Sequence, residues 1–318
     1  MIAMTATDAH EPDAPRRGFL KCMVWAGTGV LWTVAGGVPR ASWLGAAGPA
    51  SAAEPAGGLS FMQISDSHIG FAKPPNTDTA ATLGEAIARV NALKGDAALL
   101  LHTGDVSQLS RAAEFDTAAQ IIKGAGLETH YVPGEHDVLD EDGRAYFERF
   151  TPGAAHGYYS FDQHGVHFVG LNNVQGLKSG GLGSLGPDQL KWLEGDLAAR
   201  PASQPIVVFA HIPLWTVYRD WGWGTDDGAQ ALALLSRFGS VTVLNGHIHQ
   251  VMQKVEGTVA FHTACSTAFP QPAPGSASGP GPIKDLPAGR LRAVLGVTRI
   301  SRVQGTAPLA IVDTPLGA

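Results

Sequence analysis

Five short segments, far apart in the 318-residue chain, carry side chains suited to holding metal ions. They are Asp66-Ser67-His68, Gly104-Asp105, Gly134-Glu135-His136-Asp137, His211, and Gly246-His247-Ile248-His249. Asp66 and His68 form an i, i+2 pair, which on extended backbone turns both side chains to one side. Together the segments offer three carboxylates (Asp66, Asp105, Glu135) and four imidazoles (His68, His211, His247, His249), with His136 beside them. Oxygen and imidazole donors without thiolate suit Mn, Fe, Zn or Co rather than Ca or Mg alone. Seven ligands exceed what one ion uses, whereas two ions sharing one carboxylate would use them all. Such a pair activates a water and clamps a phosphoryl group for in-line displacement. Each piece alone is common, but all five in this order and placement are not a chance pattern.

The segments need a scaffold that brings them together. Short apolar runs of strand length and β-branched content occur at 59–64, 97–101, 129–132, 166–171, 206–210 and 241–244. Five of the six end at one of the candidate segments, and in open α/β sheets the carboxyl ends of strands converge on the ligand crevice. Between the runs, Leu83, Ala86, Ile87, Val90 and Leu93 keep helical spacing up to Gly95, and Pro187 stands as a first-turn proline before Leu190, Leu193 and Leu197. Strand, helix, strand predicts an α/β class with helices covering a largely buried sheet. A run at 259–261 follows the last segment, 270–282 is a Pro/Gly/Ser-rich loop, and 295–303 with 309–312 reads as a closing hairpin.

Composition agrees with a folded, turn-rich chain: 44% apolar, 16% charged, 40 Gly and 21 Pro. A formal charge of −6 offers no footprint for a nucleic acid polymer, so a small neutral or metal-neutralised ligand is expected. Residues 1–52 read as targeting. Pro15-Arg16-Arg17-Gly18-Phe19-Leu20-Lys21 precedes an uncharged run over 22–39 and the small-residue site Ala50-Ser51-Ala52. That pattern predicts a twin-arginine signal handled by the twin-arginine export machinery and a periplasmic or secreted domain over 53–318, or a membrane-tethered form if the signal is kept. Removing 1–52 leaves 18 basic against 25 acidic residues and Cys265 as the lone thiol, which excludes an intramolecular disulfide and a thiolate cluster.

From Asp66 to His249 the chain resembles the calcineurin-like metallophosphoesterases, which include purple acid phosphatases and class III cyclic-nucleotide phosphodiesterases. Their pattern is D-x-H, G-D, G-N-H-[DE], H, G-H-x-H. The resemblance implies a four-layer α/β/β/α sandwich with a dinuclear metal site, of Fe, Mn or Zn, at the strand C-terminal ends. It implies that Asp66, His68 and His249 hold one ion, His211 and His247 the other, and that Asp105 bridges them. His136 would be the catalytic imidazole that protonates the leaving oxygen, oriented by Asp137. One position departs: where the family has a neutral Asn ligand, this chain has Glu135. Against two divalent ions, two aspartates and a hydroxide leave one positive charge, and a third carboxylate removes it. A dianionic phosphate monoester is then attracted less, and a singly charged diester suffers less. A ferric ion would restore the balance, and a Glu that merely ligates as Asn does would change nothing. The expected function is hydrolysis of a small-molecule phosphate ester, diester or nucleotide-like. The alternative is a metal-binding protein on the same scaffold whose hydrolysis Glu135 has damped.

Around these motifs, Trp215, Tyr218, Trp221 and Trp223 either wall the site or pack. Thr263-Ala264-Cys265-Ser266-Thr267 is placed to rim the pocket, with Cys265 a buried thiol. His10, His130, His156, His164 and His167 read as solvated or hydrogen-bonded, whereas His102 and His262, each beside a motif, are either residues of that kind or outer partners of the ligands.

Overall fold

The computed structural model describes residues 30–35, 38–43, 58–154, 156–287, 289–302 and 309–317. The chain divides into two units, 1–54 and 55–318. In the first, β1 (Val30–Ala35) and β2 (Val38–Trp43) pair antiparallel. Arg16, Arg17 and the expected processing site Ala50-Ser51-Ala52 lie outside the described residues. Among the described residues no helix is long and apolar enough to cross a membrane.

The second unit holds two sheets. In one, β3 (Ser60–Ile64), β4 (Leu99–His102) and β5 (Glu128–Tyr131) run parallel. In the other, β7 (Val166–Gly170), β8 (Ile206–Phe209), β9 (Val241–Asn245) and β11 (Val259–Thr263) run parallel, with β6 (Tyr159–Gln163) and β10 (Met252–Glu256) antiparallel on its two edges. The first sheet is extended by β12 (Gly296–Ser301) and β13 (Ala310–Pro315), the antiparallel pair expected of the closing hairpin, giving the order β13-β12-β3-β4-β5. The second has the order β10-β11-β9-β8-β7-β6.

Side chains alternate between the faces of a strand, so the central strands here feed two cores. Phe61, Leu99, Leu101, Phe168, Val207, Phe209, Leu244 and Ile300 meet between the sheets, where Phe61 and Phe168 pack edge to face at 5.3 Å. The opposite phase of the first sheet, with Met62, Ile64 and Leu100, packs under α1 (Thr79–Leu93), α2 (Ala112–Lys123) and α3 (Arg144–Phe150). Ile206, Val208, Val241 and Val243 of the second sheet lie under α4 (Gly186–Ala198) and α5 (Gly228–Leu235). The result is a four-layer α/β/β/α sandwich. Two helix starts are held by aspartates. Asp78 caps α1 by accepting from Ala81 N at 2.9 Å, and Asp227 accepts from the backbone N–H groups of Leu185 and Gly186 ahead of α4, which carries Pro187 in its first turn.

Candidate metal centre

Every expected ligand sits just past a strand end: Asp66 and His68 after β3, Asp105 after β4, Glu135 after β5, His211 after β8, His247 and His249 after β9. The local backbone is not extended, as the Asp66–His68 spacing suggested. Asp66, His68, Asp105, His247 and His249 all take positive φ, between 42° and 69°, in the left-handed region that Asp and His enter more readily than most non-glycine residues. The chain is turning away from the sheet at each ligand, and the loops hold one another: Asp66 N donates to Gly104 O, His68 N to Asp105 O, and His247 N to the Asp66 carboxylate.

All seven side chains converge, in two groups that adjoin. Asp66, His68 and His249 form one, with His249 Nε2 3.2 Å from Asp66 Oδ1 and from His68 Nε2. Glu135, His211 and His247 form the other: Glu135 Oε2 is 2.9 Å from His211 Nε2 and Glu135 Oε1 is 3.0 Å from His247 Nδ1. Asp105 stands between them, its Oδ2 lying 3.4 Å from both His68 Nε2 and His211 Nε2 while its Oδ1 accepts from His136 N. Three of the imidazoles are tied down by the far nitrogen: His68 Nδ1 to Gln108 Oε1, His211 Nδ1 to the Thr103 carbonyl, and His249 Nδ1 to the Phe269 carbonyl. A carbonyl can only accept, so each of these nitrogens carries a hydrogen and each Nε2 faces inward as the atom available to an ion.

The electrostatics call for positive charge at this spot. Burial alone would raise the Asp66 carboxyl, but His249, His211 and His68 hold it well below the ordinary carboxylate range. Burial is likewise overridden at Glu135 by His247 and His211. His211 shows the converse: burial opposes its charge, yet Asp105 and Glu135 hold its pKa well above the usual imidazole value. His68, by contrast, is pushed down to about 3 by burial and is a neutral imidazole. Buried His211 Nε2, Glu135 Oε2 and His247 Nδ1 face one another without hydrogen-bonding geometry. Donor atoms gathered this closely, with no thiolate among them, fit two divalent ions.

His136 joins the first group from the side, 4.9 Å from the His68 ring. Its ring is not oriented by Asp137. Nδ1 donates to the Gln108 carbonyl at 2.8 Å, whereas the Asp137 carboxylate faces away and accepts from Val106 N, Ser107 N, Ser107 Oγ and Gly134 N. Glu135–Asp137 is a 3-10 turn, in which successive side chains diverge by about a third of a turn. Asp137 is therefore a clasp between the loops that carry Asp105 and Glu135. Gln108 is the contact that the motifs did not reveal, since an uncharged amide in a loop carries no signal by type.

The remaining expectations divide. Ser266 and Thr267 do not rim the pocket; they are buried behind it, where Ser266 Oγ donates to the Asp66 carbonyl and Thr267 Oγ1 to Ser67 Oγ. Trp223 is fully buried and Trp215 packs on Phe261, so these two belong to the core, with Tyr218 and Trp221 edge to face beside Trp223. Phe269 packs directly on the ligands, 4.8 Å from the His68 ring and 4.6 Å from that of His249. His102 is an outer partner, 2.8 Å from Ser67 Oγ, while His262 pairs with Asp313 on β13. The 270–282 loop is tied to the ligand turn by Gln271 Nε2, which donates to the His247 carbonyl.

Comparison with known proteins agrees with this geometry. The chain is 25% identical over 214 residues to a probable cyclic nucleotide phosphodiesterase of Rhodopseudomonas palustris, covering 64% of this chain and 76% of that one. It is also 25% identical over 213 residues to a probable glycerophosphodiester phosphodiesterase of Arcobacter nitrofigilis, covering 64% and 77%. Among solved structures, a dimetal phosphatase from Danio rerio superposes with a TM-score of 0.58 at 13% identity, covering 80% of this chain and 98% of that one. A purple acid phosphatase from yellow lupin gives 0.60 at 13% identity, covering 82% and 52%; these two share the fold. The family model of the calcineurin-like phosphoesterases matches residues 59–251, and the chain belongs to that family of hydrolases acting on phosphoric ester bonds.

Proposed function

We propose that this chain is an exported phosphodiesterase of small diester or nucleotide-like substrates, working through two ions of Fe, Mn or Zn held by Asp66, His68, Asp105, Glu135, His211, His247 and His249. The observation that carries the reading is the position of Asp105 Oδ2, 3.4 Å from an imidazole nitrogen of each group. Bound there, the ions would polarise the phosphoryl oxygens and make a water acidic enough to attack near neutral pH.

The chain's own residues do the rest. The carbonyls of Thr103 and Phe269 and the amide of Gln108 fix three imidazoles with Nε2 inward. His136, with its Nδ1 hydrogen committed to the Gln108 carbonyl, presents Nε2 as the atom that delivers a proton to the departing ester oxygen. Three carboxylates in one small volume support the diester preference, because they weaken the pull on a dianion more than on a monoanion. The relatives named as phosphodiesterases point the same way. Export rests on Arg16-Arg17 ahead of the uncharged run. The test is turnover of 4-nitrophenyl phosphate and bis(4-nitrophenyl) phosphate by metal-loaded protein, before and after chelation. A higher kcat/KM for the diester, lost on chelation, is expected; faster monoester turnover, or activity that survives complete metal removal, would overturn the reading.

A further inference from the structure

Each half of the centre is built to the same plan: one carboxylate of its own and two imidazoles, around a shared Asp105. The first group has Asp66 with His68 and His249; the second has Glu135 with His211 and His247. Glu135 spans its group with both oxygens, one facing each imidazole at 2.9 and 3.0 Å, and Asp105 Oδ2 is equally far from the two groups. With the neutral amide that the family carries at this position, the second group would keep only the shared carboxylate.

The second group also lacks a support that the first possesses. Both imidazoles of the first are anchored through Nδ1, by Gln108 and by the Phe269 carbonyl. In the second, His211 is anchored on Thr103, but His247, whose Nδ1 faces Glu135, has its far nitrogen Nε2 buried without a hydrogen-bond partner. Outer anchors of this kind are worth about 10–100-fold in metal affinity. The half with the weaker anchoring is therefore the half that has acquired an extra negative charge.

We propose that Glu135 makes the second ion subsite an anionic counterpart of the first, so that the charge of this carboxylate, and not the reach of a carbonyl oxygen, retains the second ion. The inference rests on the dinuclear reading and goes beyond it by assigning one residue the retention of one ion. A ligating carboxylate contributes more than an outer anchor, so its loss weakens the second ion by at least about 100-fold.

The test is equilibrium dialysis of metal-free wild type and Glu135→Gln against Mn²⁺ over a range of free concentrations. Bound metal is read by elemental analysis, and the paired-ion state by the exchange-coupled Mn²⁺ resonance. Gln keeps the length and one carbonyl oxygen and removes the charge. Wild type should bind two ions within a narrow range of free Mn²⁺, whereas Glu135→Gln should keep one at wild-type affinity, lose the other at least about 100-fold and show an uncoupled signal. Asp66→Asn, which removes the matching carboxylate, should weaken one ion by a similar factor. Both variants are compared with wild type by unfolding of the metal-free protein, so that a folding defect is recognised, and Glu135→Asn, which also removes the charge, carries the comparison if Glu135→Gln shows one. Two ions bound by Glu135→Gln at wild-type affinity would overturn the proposal while leaving the dinuclear reading intact; one ion or none in saturated wild type would overturn both.

Discussion

Asp137 offers the sharpest quantitative test, because its expected and observed surroundings differ. Its carboxylate, fully buried, takes two hydrogen bonds on each oxygen: Ser107 N and Ser107 Oγ on Oδ1, Val106 N and Gly134 N on Oδ2. Burial and the neighbouring Asp105 push its pKa up to about 7, against the pull of these donors, so the comparison belongs at pH 8, where the carboxylate is ionised. In Asp137→Ala the serine hydroxyl can turn to the His136 carbonyl, which it already reaches, but three backbone N–H groups are left buried. At about 1–3 kcal/mol for each stranded group, with partial relaxation, the loss is about 3–6 kcal/mol, a large share of the roughly 5–15 kcal/mol by which a domain is stable. In Asp137→Asn one oxygen still serves two donors, and the new amide can donate to the Ser107 hydroxyl, leaving Ser107 N–H alone unpaired. That costs about 1–3 kcal/mol. For a unit of this size roughly 2–4 °C of Tm corresponds to each kcal/mol, so thermal unfolding of the metal-free proteins should place wild type above Asn and Asn above Ala, with Ala lowest by about 6–24 °C. Equal melting temperatures for wild type and Ala would refute the clasp.

The other predictions address the chemistry. His136→Ala should lower kcat by about 10²–10⁴-fold and leave the metal content of the protein unchanged; loss of metal in step with activity would make His136 a ligand instead. Asp105→Asn should carry markedly less metal than wild type, because one carboxylate serves both groups, and a variant that still holds two ions at wild-type affinity would remove Asp105 from the bridging position. At saturating metal, Glu135→Asn should raise turnover of phosphate monoesters more than that of diesters, and identical kinetics for both esters would sink the charge argument. Replacing Arg16 and Arg17 by Lys should strand the unprocessed protein in the cytoplasm, whereas a processed, periplasmic double variant would exclude the twin-arginine route.

The buried parts of the fold were the legible ones. β3, β4, β8 and β9 are covered on both faces, so they appear in the sequence as largely apolar runs, broken only by Ser60, Gln63 and Thr242, that match the observed strands to within one or two residues. β10 has no such run. It is an edge strand whose residues Gln253 to Glu256 all face solvent, and its pairing with β11 is backbone hydrogen bonding that needs no apolar side chain. β6, on the opposite edge, is only half covered and was equally silent. The short helices α3 and α5, of seven and eight residues, present too few turns for a helical period to stand out. Inside the site, side-chain type carried the signal for the ligands, whereas Gln108 and the true partners of Asp137 are set by how two loops lie together, which spacing along the chain does not encode.

The motif glycines show why so much of the centre could be read at all. A side chain at Gly104, where φ is +93°, would collide with the His211 ring; one at Gly134 would strike the Asp105 carboxylate; one at Gly246 would strike Ser65 and Asp66. Each glycine is thus a gap that another segment's ligand, or the residue holding it, must occupy. Asp105 and His247, beside two of these glycines, sit at positive φ, as do Asp66, His68 and His249, a conformation that costs about 1–3 kcal/mol per non-glycine residue and persists only where the surroundings fix it. Here the surroundings are the other ligand loops: the Asp66 backbone hangs on Gly104, His68 on Asp105, and the His247 backbone on the Asp66 side chain. Chemistry selects the carboxylates and imidazoles, and the close approach of neighbouring loops selects the glycines. Adjacent positions in these three segments therefore answer to two independent constraints, which is why they stand out from a turn-rich chain with 40 glycines.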